Sequence, residues 1–168
     1  MLPQTIRFNN DGTKMYLTEA VINTTDPQES VGVVQYNLAT PFVPSSTTTV
    51  QVLNLRAQFP KTNIAIHAMN FDDDGTRMYV SAGNFVPKTD HPHAVYELSI
   101  PFEISSAKHV GTFNFVNASG GGVAAVGGVF SDDGNKYYMT TGSGDSVVEY
   151  TLTCPFGLVI CESEAEAE

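Results

Sequence analysis

A chain of 168 residues and 18.1 kDa, 42% hydrophobic and only 15% charged, can build one packed domain and is too apolar to be disordered. Its net charge of −10 would repel a polyanion, which argues against nucleic acid or an anionic membrane surface as a partner. No apolar run reaches the length of a spanning helix, and Met1 to Gln4 open no signal-peptide pattern, so neither membrane insertion nor a leader is expected.

The chain is built from a repeat. Phe8, Asp11, Gly12, Met15 and Tyr16 recur as Phe71, Asp74, Gly75, Met78 and Tyr79, then as Phe130, Asp133, Gly134, Tyr137 and Tyr138. A second block follows each copy: Tyr36, Leu38, Pro41 and Phe42, then Tyr96, Leu98, Pro101 and Phe102, then Tyr150, Leu152, Pro155 and Phe156. The Phe-to-Phe spacings of 63 and 59 residues define three units, about 1–56, 57–116 and 117–160, followed by an acidic tail at 161–168.

Each unit reads as strands in the same order. Strand A ends at the first Phe. An Asp-Gly pair then forms a hairpin turn, with Gly at the positive φ other residues avoid. Strand B carries Met-Tyr. Strand C alternates Val34, Tyr36 and Leu38 with Gln35 and Asn37, the period-two mark of a half-buried strand. Strand D follows from the match of Val50, Leu53 and Asn54 to Val110, Phe113 and Asn114. No segment sustains helical periodicity. The fold class is all-β: β-propeller blades, as three four-stranded antiparallel repeats with the third incomplete. Small residues on strand A (Ala65, Ala68, Ala124, Gly127, Gly128) suit the crowded innermost position. A β-solenoid would have shorter turns and no need of such hairpins.

The run from Phe130 to Met139 and its two earlier copies resemble the bacterial and phage WD-like repeats of the YVTN class, over nearly the whole chain. The Pro-Phe ending of strand C looks like the Thr-Pro-Phe ending of a phage-associated subgroup. The resemblance implies a propeller. It implies little about function, because such repeats occur in surface proteins and in enzymes.

In the third unit the place of strand D falls on Cys161-Glu162-Ser163-Glu164-Ala165-Glu166-Ala167-Glu168, which has no apolar face. Only residues 157–161 offer a short outer strand. Known propellers close with four to eight blades, so three leave two faces to be covered. The expected partner is a second copy, meeting the open blade faces and the strand-C edge from Val147 to Leu152, in a ring or a filament. A fragment of a longer propeller is the alternative.

Catalytic and cofactor patterns fare poorly. Gly120, Gly122 and Ala125 match a dinucleotide fingerprint but would lead into a strand, not the helix it requires. Asn70, Asp72 and Asp74 resemble the start of a calcium loop, yet Ser81 stands where the bidentate Glu belongs. His91 and His93 beside Asp90 are too few for a metal site. No catalytic residue, metal or cofactor is expected. Any ligand should meet the variable loops of one face, at Asp26, Glu29, Lys61, Lys88, His91, His93, Asn117 and Asp145. Cys154 and Cys161, the only cysteines, flank a stretch that brings them within disulfide reach if it folds back. Together these features point to a non-enzymatic structural or interaction module of an extracellular or virion-associated assembly. The alternatives are a propeller hydrolase of lactonase type and a carbohydrate-binding adhesin.

Overall fold

The computed structural model describes residues 2–20, 31–59, 64–84, 92–114, 125–141 and 146–158. Strands β1 (Leu2–Phe8), β2 (Lys14–Ala20), β3 (Gly32–Leu38) and β4 (Thr47–Asn54) pair antiparallel in chain order as the first blade. The second blade repeats this with β5 (Ile64–Phe71), β6 (Arg77–Asn84), β7 (Pro92–Leu98) and β8 (Ala107–Asn114). The third has β9 (Ala125–Phe130), β10 (Lys136–Thr141) and β11 (Val147–Thr151). A single bridge, from Ala20 at the end of β2 to Ala65 near the start of β5, links the first two sheets. The protein is all-β and its sheets are propeller blades. The place of the missing fourth strand, from residue 159 on, lies outside the described residues.

The Asp-Gly turns form as expected. Gly12, Gly75 and Gly134 hold φ of 71°, 73° and 68°. Each Asp caps its turn: the Asp11 carboxylate accepts from the Thr13 N–H at 2.9 Å and the Thr13 hydroxyl at 2.6 Å, and Asp74 and Thr76 repeat the pattern. These hydrogen bonds favour the ionised carboxylate. They lower the pKa of Asp11, Asp74 and Asp133, in the last case to about 2, with the Ser131 hydroxyl as the main cause. A depressed folded-state pKa gives stability that is present above the ordinary value near 3.8 and lost as pH falls through the folded value. Carboxyl-carbon NMR should therefore find Asp133 titrating at about 2, and Ser131→Ala should move that midpoint up towards 3.8.

The Pro-Phe turns explain why the two repeated blocks travel together. Phe42, Phe102 and Phe156 all sit in the left-handed region, at φ of 59°, 58° and 56°. The backbone N–H of each donates to the carbonyl of the turn glycine in its own blade, Gly12, Gly75 or Gly134, at 2.8–2.9 Å. Each ring occupies the space a glycine Cβ would fill. The A–B and C–D turns are thus one interlocked unit.

Packing corrects the half-buried reading of strand C. In β3 Gln35 is as fully buried as Val33, because it stands on the face of the first blade that packs against the second. The core is correspondingly two inter-blade seams. One joins Tyr16, Val33, Leu55 and Phe59 of the first blade and its exit loop to Ile66, Met69, Met78 and Tyr96 of the second. The other joins Tyr79 and Val95 to Phe130, Tyr137 and Met139.

Candidate functional site

The seams show what each blade face requires of its neighbour. We call the side of a blade towards the next blade its leading face and the other its trailing face. From the leading face of the first blade, the Tyr16 hydroxyl donates to the Phe102 carbonyl at 2.6 Å. From that of the second, the Tyr79 hydroxyl donates to the Phe156 carbonyl at 2.5 Å. Burial pushes both phenols far above their ordinary pKa of 10, so both remain donors. The seams thus share one contact, from a strand-B Tyr to the Phe carbonyl of the next Pro-Phe turn.

Around it the first seam carries a polar cluster. Lys14 Nζ meets Glu103 Oε2 at 2.7 Å, and Gln35 Nε2 donates to the same oxygen at 3.1 Å. Gln35 Oε1 accepts from the Ile104 N–H at 2.9 Å. Burial pushes the Glu103 carboxyl up, but the bonds from Lys14 and Gln35 outweigh it and the pKa falls. Further in, Thr18 and Thr5 donate to the inner-strand carbonyls of Ile66 and His67 at 3.2 and 2.7 Å.

Two faces have no neighbouring blade among the described residues. These are the trailing face of the first blade and the leading face of the third. Eight large apolar side chains stand exposed among the described residues: Ile6, Phe42, Val43, Val50, Val52, Ile100, Val129 and Val147. Repeat equivalence assigns seven of them to these two faces. Ile6 corresponds to buried Met69, Phe42 and Val43 to Phe102 and Glu103, and Val50 and Val52 pair with Tyr36 and Val34, the equivalents of buried Tyr96 and Ala94. At the other end Val147 corresponds to buried Val33, and Val129 to Asn70, which donates to the Gly128 carbonyl of the next blade at 2.8 Å. Only Ile100, in a turn, lies elsewhere.

Of the loop residues expected to meet a ligand, Asp26, Glu29, Lys61, Lys88, His91, Asn117 and Asp145 lie outside the described residues. His93 is corrected. It belongs to β7 rather than a loop and is buried, with Nδ1 at 2.8 Å from the Ser81 hydroxyl and its ring stacked on Phe113. Pro92 did not end the strand early, because it occupies the first strand position, where a missing N–H is tolerated. This Ser–His contact has the spacing of a nucleophile and base, and both groups are buried in the second seam. An open groove of about 670 Å³ on the second blade is lined by Asp72, Asp74, Thr76, Arg77, Glu97 and Lys108 among others, a mixed-charge surface on which the Thr76 hydroxyl is engaged in the turn by Asp72 and Asp74. No group of three or more metal-ligating side chains occurs among the described residues. Cys154 is disulfide-bonded, and Cys161 lies outside the described residues. Sequence reasoning missed Gln35 and Phe59 as seam residues: Gln35 stands at a position of the second block whose side chain changes from copy to copy (Gln35, Val95, Glu149), and Phe59 lies outside both blocks.

No family model matches the chain, and no curated protein matches it. Among solved structures it is similar to a putative 6-phosphogluconolactonase from Bacteroides fragilis, with a TM-score of 0.53 and 14% identity. The match covers 89% of this chain and 34% of that one, so the chain spans about a third of that structure's length. A likeness at this identity shows the propeller-like fold alone.

Proposed function

We propose that the chain is a non-enzymatic β-propeller interaction module that self-assembles through its two open blade faces, in an extracellular or virion-associated structure. The observation that carries this is the placement on those faces of seven of the eight large apolar side chains exposed among the described residues. Scattered apolar exposure is ordinary in a monomer; concentration on two faces that are equivalent to buried seams is the pattern of an uncovered interface. The disulfide at Cys154 favours an oxidising compartment. The competing reading, a propeller lactonase, draws support from the name of the structural neighbour.

Light scattering of the purified chain at micromolar concentration tests the proposal. A dimer mass supports a six-bladed ring and a very large species a filament, while a folded 18.1 kDa monomer overturns self-assembly. In the same preparation, turnover of a sugar lactone lost on denaturation would favour the enzyme.

A further inference from the structure

We infer that the copies meet head to tail, the leading face of the third blade of one copy covering the trailing face of the first blade of the next, with the Tyr138 hydroxyl donating to the Phe42 carbonyl across the contact. The inference rests on the self-assembly proposed above and adds its polarity and register.

Tyr138 is the third-blade equivalent of Tyr16 and Tyr79, both of which donate to the Phe carbonyl of the following blade. It is half-buried, on a leading face with no following blade among the described residues. Phe42 is the first-blade equivalent of Phe102 and Phe156, and its carbonyl is the one of the three that accepts from no Tyr hydroxyl among the described residues. One end therefore holds a spare donor and the other a spare acceptor of the same recurring contact. Two leading faces brought together would leave the Phe42 carbonyls without their donor, and two trailing faces would oppose acceptor to acceptor.

The charges fit the same register. At the first seam Lys14 finds its acid across the junction, in Glu103. The residue equivalent to Glu103 on the trailing face of the first blade is Val43, which offers Lys136 no counter-charge. Lys136 has its acid in its own blade instead: Glu149, at the position of Gln35, lies 2.9 Å away. The third blade thus reaches the junction with its lysine already neutralised, as an apolar partner surface requires.

A contact between unlike faces is heterologous, so it closes a ring if the rotation allows and grows a filament otherwise. It also makes a mixing experiment decisive. Val50→Glu with Val52→Glu blocks the trailing face, and Val129→Glu with Val147→Glu blocks the leading face. All four positions are exposed, so the free chain tolerates the charge. Each blocked protein should be monomeric alone by analytical ultracentrifugation, and an equimolar mixture should give a one-to-one heterodimer through the remaining good pair of faces. That heterodimer also proves both variants folded. Tyr138→Phe should weaken the wild-type contact roughly tenfold in dissociation constant, the loss of one buried hydrogen bond. A blocked variant that still dimerises alone would show a like-to-like contact and overturn the polarity while leaving self-assembly intact. A monomeric wild type would overturn both.

Discussion

Gly75→Val is expected to destabilise the protein by about 2–5 kcal/mol, enough to unfold much of a domain whose whole stability is about 5–15 kcal/mol. Two costs meet at this position. At φ of 73° an L side chain is strained, and a β-branched one more so. A Cβ would also be driven into the Phe102 ring, which cannot retreat: its backbone N–H is bonded to the Gly75 carbonyl at 2.9 Å, and the ring packs on Phe71 at 5.2 Å between centroids. Displacing Phe102 disturbs the junction with the first blade as well, since its carbonyl accepts from Tyr16. Urea unfolding should show a lowered midpoint with an unchanged slope. Gly75→Ala should fall between this variant and the wild type, because it pays the backbone strain with a smaller clash. A shift below about 1 kcal/mol for the valine variant would mean that the two turns are not interlocked.

The repeat made the strands legible because each segment could be read three times. An Asp-Gly pair between apolar runs names a hairpin, and three copies at matching positions fix which strand it joins. The Pro-Phe block was visible as a repeat but its role was not. Phe42, Phe102 and Phe156 adopt a backbone conformation that aromatic residues rarely take, so no propensity points to it, and only the packed ring on glycine explains it.

Face assignment was hidden for a different reason. Period two tells which residues share a face, and it normally separates core from solvent. Here the face that carries Gln35 meets the second blade, so Gln35 is buried on a face the pattern would give to water, with its amide fully used between Ile104, Asn37 and Glu103. His93 was misplaced because a proline and two histidines read as a loop, whereas the seam supplies Ser81 and Phe113 to accommodate it as strand. The blade count led to the expectation of open faces. It gave no sign of the head-to-tail contact proposed for them, because the direction of the Tyr-to-Phe contact between blades leaves no mark on the sequence of a single unit.

Equivalent residues on covered and open faces give the sharpest measure of this architecture. Met69 and Ile6 each stand two residues before the Phe that ends strand A. Met69 is fully buried in the first seam, whereas Ile6, on the trailing face of the first blade, is 49% exposed. Met69→Ala removes a side chain from a packed junction and leaves a cavity, so it should cost about 2–5 kcal/mol. Ile6→Ala should cost less than about 1 kcal/mol when the chain is dilute enough to be monomeric, because half the side chain already lies in water. The two differ again in concentration dependence. Once a second copy covers the trailing face, Ile6 occupies the environment Met69 has within the chain, and the cost of its truncation should climb towards that of Met69 as protein concentration rises. Chemical denaturation across a hundredfold range of concentration reads both effects. A large, concentration-independent loss for Ile6→Ala would show that the face is already covered within the monomer, and the seam-equivalence of the two ends would fall with it.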